Sequence, residues 1–249
     1  MAFGFAIRNP AGRLWMSPEV TPMNLIERLT ITATHGARFT TSIPQHIPII
    51  IFVQYQQKIA TAHYGRTNPA EDSVFIDSNY MSTLPMSKEK LKEKLFGGFT
   101  CHTFIHAPVA GYHAYQLTGG FNQSSAMRVY VFAAMAKKTS RYGLAIYNAA
   151  GTLVYSAQMR PLQLEYNATG HGLSFYSNMQ ESVAVVPMTY SLLPYLKHPN
   201  SDFLICYGVA ACGNEIYSAI EQRRDYHGPK GVVLASSGFF YIRTAIYDK

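Results

Sequence analysis

Short apolar runs separated by turn residues recur along most of the chain. The stretches 29–34, 47–56, 99–105, 127–132, 162–166, 182–190, 203–210, 232–235 and 239–247 are rich in Val, Ile, Phe, Tyr and Thr. Several alternate apolar and polar positions, as half-buried strands do; others are continuous, as strands buried on both faces are. Gly, Pro, Asn and Ser punctuate them at the intervals of a β-sandwich. Helical spacing is rarer. Residues 87–96 carry Leu91, Leu95 and Phe96 as a narrow apolar stripe, with Ser87 as N-cap and Gly97-Gly98 as stop. A second helix is expected over 214–223. The expected fold is mainly β, with a short surface helix inserted near 87–96.

One pattern repeats. Gly4 to Leu25 aligns without gaps on Gly143 to Leu164, and ten of the 22 pairs are identical. They are Gly4/Gly143, Ala6/Ala145, Ile7/Ile146, Asn9/Asn148, Ala11/Ala150, Gly12/Gly151, Leu14/Leu153, Ser17/Ser156, Pro22/Pro161 and Leu25/Leu164. Average residue usage would give about one or two. Each segment reads as a β-hairpin, apolar strand, Asn-x-x-Gly turn, apolar return, with a loop of three to five residues. His35-Gly36 and Phe39 recur as His171-Gly172 and Phe175, and Ser124-Ser125 before an apolar strand recurs as Ser236-Ser237. These matches imply an internal duplication: two tandem β-sandwich-like domains, 1–139 with the inserted helix and 140–249, joined at Lys137-Lys138-Thr139-Ser140.

Composition narrows the class. The chain of 249 residues is 48% hydrophobic and only 14% charged, which excludes disorder for most of it. The longest apolar run, 47–53, is strand-sized, so no membrane span is expected. The net charge of +7 is uneven: 13 Lys+Arg against 7 Asp+Glu in 1–139, and 8 against 7 in 140–249. Lys88, Lys90, Lys92 and Lys94 fall on the expected helix. With other basic residues scattered, no nucleic-acid partner is expected. The excess of 18 Tyr and 14 Phe over one Trp suits strands.

Candidate chemistry is sparse. Cys101, Cys206 and Cys212 are odd in number and show neither disulfide nor zinc spacing. His102 and His106 fall on one face of a strand, with His113 following, but no Cys or carboxylate nearby completes a metal set. Cys101 and His102, adjacent on a strand, face opposite ways, and there is no Gly-x-Ser-x-Gly elbow. The carboxylates Glu71, Asp72, Asp77, Glu165, Glu181, Asp202, Glu215, Glu221 and Asp225 single out no acid–base pair. The expectation is therefore no catalytic residue, no cofactor and no metal. Tyr112, Tyr115 and Tyr176 are candidate exposed aromatics for a carbohydrate.

The opening Phe3-Gly4-Phe5-Ala6-Ile7, Asn9, Ala11-Gly12, Leu14 and its second copy at 142–153 resemble the openings of small bacteriophage tail and baseplate proteins. The resemblance covers about 25 residues in each copy and implies a non-enzymatic virion protein of the tail tip, baseplate or fibre attachment. It implies a β-sandwich fold, homo-oligomeric assembly with other tail proteins, and synthesis in the host cytoplasm, in keeping with an N-terminus that lacks signal-peptide features. The alternative is a tail protein that binds a host receptor or surface glycan.

Overall fold

The computed structural model describes residues 7–8, 14–16, 21–60, 99–120, 124–136, 143–168, 175–198, 201–226, 233–234 and 237–249. Within them the chain is mainly β. The first half contributes β1 (Ile7–Arg8), β2 (Leu14–Met16), β3 (Asn24–Ala33), β4 (Arg38–Pro44), β5 (Ile49–Tyr55), β6 (Ile59–Ala60), β7 (Phe99–Thr100), β8 (His102–His106), β9 (Tyr112–Gly119) and β10 (Ser125–Ala133). The second contributes β11 (Ala145–Tyr147), β12 (Leu153–Ser156), β13 (Glu165–Ala168), β14 (Tyr176–Asn178), β15 (Val183–Val185), β16 (Thr189–His198), β17 (Ser201–Cys212), β18 (Glu215–Tyr226), β19 (Val233–Leu234) and β20 (Gly238–Arg243). A 3-10 turn at Thr244–Ile246 follows.

Both opening segments form hairpins in matching register. Ile7 pairs with Met16 and Arg8 with Leu14; Ile146 pairs with Tyr155 and Tyr147 with Leu153. Each has a register shift after its Ile. The second turn shows the cause. The Asn148 side-chain oxygen accepts the N–H groups of Ala150 (3.0 Å) and Thr152 (2.8 Å), and Gly151 sits at φ +76°. Asn and Gly are there for the backbone.

In the first half β10 lies between β3 and β5, and β9 lies between β4 and β8. In the second half β20 lies between β13 and β15, and β18 pairs with both β14 and β17. The halves meet where Val53 of β5 pairs antiparallel with Val185 of β15, and again where Tyr55 of β5 pairs parallel with Cys212 of β17 and Thr100 of β7 pairs parallel with Ile220 of β18. Strands from 1–139 and 140–249 thus share one 13-stranded sheet.

The continuous apolar runs are explained by burial on both faces. Val53, Tyr55, Val129, Val131 and Val185 enter one core with Phe239, Tyr241, Val209 and Ile216. Phe52, Tyr130, Phe132, Ala184 and Ile242 enter another, which Tyr247 closes. Each fully buried Val, Ile or Phe among them contributes about 1.5–3 kcal/mol of burial.

The helix expected over 214–223 is instead strand β18, paired with β17 along its length. Gly213, at φ +59°, and Asn214 make a two-residue turn that sends the chain back antiparallel. Ile216, Tyr217 and Ala219 are buried, so pairing and core contacts override the local helix-like reading. The chain's last expected strand, 239–247, ends at Arg243 and gives way to the 3-10 turn. The helix near 87–96 lies outside the described residues.

Candidate functional site

Strand register, not sequence adjacency, decides which histidines meet. His102 is buried at 2% exposure. Its Nδ1 lies 3.1 Å from the Tyr55 hydroxyl, which also accepts the His102 N–H at 2.8 Å. His106, exposed on the same strand, instead meets His113 of β9, Nε2 to Nδ1 at 2.9 Å. His113 Nε2 lies 2.8 Å from the carbonyl of Ile47, which can only accept. The expected shared face of His102 and His106 dissolves into a core contact and a pair at the edge of the core, His106 exposed and His113 buried. His35 is exposed in the turn before β4, where Gly36 takes φ +81°; His171 lies outside the described residues.

The described carboxylates hold the fold together. Glu165 accepts Arg243 Nε at 2.7 Å and Nη2 at 3.2 Å, and the Tyr241 hydroxyl at 2.7 Å. The fork from Arg243 keeps the Glu165 carboxyl below the usual range. Glu181 also reaches Arg243. Glu215 pairs with Lys58 and accepts the Tyr176 hydroxyl; the Lys58 contact lowers its pKa. Lys58 Nζ stands 5.0 Å from the Phe99 ring centroid, 5.6 Å from Tyr176 and 5.5 Å from Tyr217, so this ammonium sits among three rings. Asp248 takes Arg28 (3.2 Å), Arg128 (3.0 Å) and the Tyr130 hydroxyl (2.9 Å). Burial pushes the Tyr130 pKa up to about 12. Glu71, Asp72 and Asp77 lie outside the described residues. For Asp202, Glu221 and Asp225 only the backbone is described.

Cys101 and Cys206 are buried and Cys212 half-buried, all as free thiols. Burial is the main force raising the Cys212 pKa. The Cys101 thiol faces the Ala219 carbonyl at 3.6 Å. Among the described residues no group of three or more His, Cys, Asp and Glu stands close enough to hold a metal ion, and no helix is long and apolar enough to cross a membrane.

Tyr112 is exposed beside the β8–β9 turn, Tyr115 stacks on Phe39 at 5.4 Å, and Tyr176 is exposed next to Glu215. They occupy three different settings. Sequence reasoning did not single out the larger exposed apolar features. Leu144 and Tyr147 stand out from the β11–β12 hairpin at 61% and 56% exposure. Leu164, Tyr166 and Phe240 are exposed on and beside β13–β20, with the last two rings 5.1 Å apart. An open cleft of about 560 Å³ is lined by Leu25, Arg28, Gln158, Arg160, Tyr247 and Lys249, among others. What these arrangements offer is contact surface and one basic cleft. No protein-family model, curated protein or solved structure matches the chain.

Proposed function

We propose that the chain consists of two copies of one β unit and serves as a non-enzymatic structural component of a bacteriophage tail, at the tip, baseplate or fibre attachment. The strand pairing supports the duplication. Val129 of β10 has Leu29 and Val53 as partners; Tyr241 of β20 has Glu165 and Val185. The β8–β9 and β17–β18 hairpins both close on two-residue turns, Ala110-Gly111 and Gly213-Asn214, with the first residue at φ +51° and +59°.

The observation that carries the functional reading concerns the ten residues repeated between the opening segments. In the second copy only Ser156 of them is buried. Gly151 and Asn148 serve the turn, while Ala145, Ile146 and Leu153 are only half-buried and Leu164 is exposed. Apolar side chains left incompletely buried in this way fit a segment that contacts a neighbour, as a subunit in an assembly does. Antibodies raised against the purified chain should decorate one end of the tail on intact particles in electron micrographs. Particles that carry none of the chain would refute the reading.

The second reading, a host-receptor or glycan-binding tail protein, draws on the basic cleft with Arg28, Arg160 and Lys249. Binding of the purified chain to acidic surface polysaccharide, lost in Arg160→Ala, would favour it.

A further inference from the structure

The duplicated pairing scheme implies an approximate two-fold axis. Val53 and Val185 hold equivalent places in their halves, each beside the central strand, β10 or β20, and they pair with each other antiparallel. The axis passes through that pair, perpendicular to the sheet, so each half presents the same face outward. On the first half that outer face is covered. Arg28 and Arg128 hold Asp248, and Tyr247 packs its ring on Phe132 at 5.0 Å. Thr30 pairs with Arg128 there; the equivalent pair in the second half is Tyr166 with Phe240. Polar residues that clamp the C-terminal segment are replaced by apolar ones that stand exposed, flanked by Leu164. Part of Tyr166 has a local explanation, since its ring lies over Gly238, where a Cβ would come within 2.5 Å of its hydroxyl. Leu164 and Phe240 have none.

β13 also ends the strand order, and among the described residues it pairs only with β20. An edge strand presents unpaired N–H and C=O groups. We propose that β13 is a homodimer surface: two copies of the chain pair β13 to β13 antiparallel about a two-fold axis through Tyr166. That register sets Tyr166 opposite Tyr166, Glu165 opposite Asn167 and Leu164 opposite Ala168. It places no like charges opposite each other, and Glu165 already has its charge met by Arg243. The two apolar strips become contiguous across the junction, with cross-strand aromatic contact. The chain joins its own halves by the same device at Val53 and Val185. Five paired residues on each copy, 164–168, with Phe240 alongside make a small interface, below about 1,200 Å², of the size class of weak and transient contacts, so the dimer is expected to be concentration-dependent. The proposal does not depend on the tail assignment.

Sedimentation velocity and light scattering on the full chain test it, over roughly 5–500 µM to bracket a small interface. The expected result is a mass that doubles with concentration. Tyr166→Lys, which sets two ammonium groups face to face on the axis, should hold the chain monomeric, whereas Leu144→Lys on the β11–β12 hairpin should leave dimerisation intact. Phe240→Lys gives the same reading should Tyr166→Lys lose the wild-type circular dichroism. Exchange of the amides of 165–168 that face away from β20 should slow with concentration in the wild type and in Leu144→Lys, and not in Tyr166→Lys. A wild-type monomer throughout, a dimer that survives both Lys substitutions on β13–β20, or one abolished by Leu144→Lys would each overturn the proposal.

Discussion

Gln54 bridges the two halves, and its removal should be felt by the whole chain. It is 3% exposed on β5, and its amide nitrogen faces Ser182 Oγ at 2.7 Å, the Val183 carbonyl at 3.0 Å and the Gly213 carbonyl at 3.2 Å. Two N–H groups can serve two acceptors well, and Gly213 also receives the Val183 N–H at 2.9 Å. Gln54→Leu therefore loses two buried hydrogen bonds at similar volume. At about 0.5–1.5 kcal/mol each, the cost is about 1–3 kcal/mol. Gln54→Ala adds a cavity and should cost more, about 2–5 kcal/mol by analogy with other large-to-small core changes. Urea unfolding followed by circular dichroism measures both. Because the bonds cross the β5–β15 junction, the loss should appear as a shift of one transition. An unchanged midpoint for Gln54→Leu, or two separated transitions of which only one moves, would refute this account of the junction.

Other substitutions probe single contacts. Gly120 has φ +70°, and a Cβ there would lie 2.2 Å from Nε2 of His102, whose ring is held by Tyr55; Gly120→Ala should cost about 3 kcal/mol or more in a thermal melt, from strained backbone plus overlap. Asp248→Ala removes the acceptor for Arg28, Arg128 and Tyr130 and should cost about 1 kcal/mol. It should also speed amide exchange at Tyr247, whose N–H bonds Thr244 at 2.8 Å. The Glu165 pKa is lowered by Arg243, so its folded value lies below its unfolded one. The stabilisation is complete above the ordinary glutamate range and disappears as pH falls through the lowered folded value. Melting temperatures of wild type and Glu165→Gln should accordingly differ most at neutral pH and converge in acid; a constant gap would contradict the ion pair.

Local features were readable in proportion to how local their physics is. The Asn-x-x-Gly turns could be placed because Asn148 bonds its own backbone and Gly151 alone tolerates its φ. The runs 47–56 and 127–132 gave away β5 and β10 because burial on both faces leaves no polar alternation to obscure. The segment after Asn214 misled for a different reason. Spacing on one segment carries no record of the partner strand, and β17 made it a strand. The candidate site was less legible still. His106 finds His113 rather than His102 because β8 and β9 bring them together across a hairpin.

The amino-acid order by itself thus determined a mainly β chain, its turns, and a hairpin written twice, since each depends on interactions within a few residues. Only the tertiary structure decided that β5 and β15 join the halves through Val53 and Val185, that Gln54 and Lys58 reach across from one half to the other, and that Leu164, Tyr166 and Phe240 are left exposed while the equivalent face is covered. Those outcomes follow from strand pairing and side-chain contacts between residues far apart in the chain. Period-two alternation specifies which side chains share a face, but the hydrogen-bonding edge it leaves is the same for every strand.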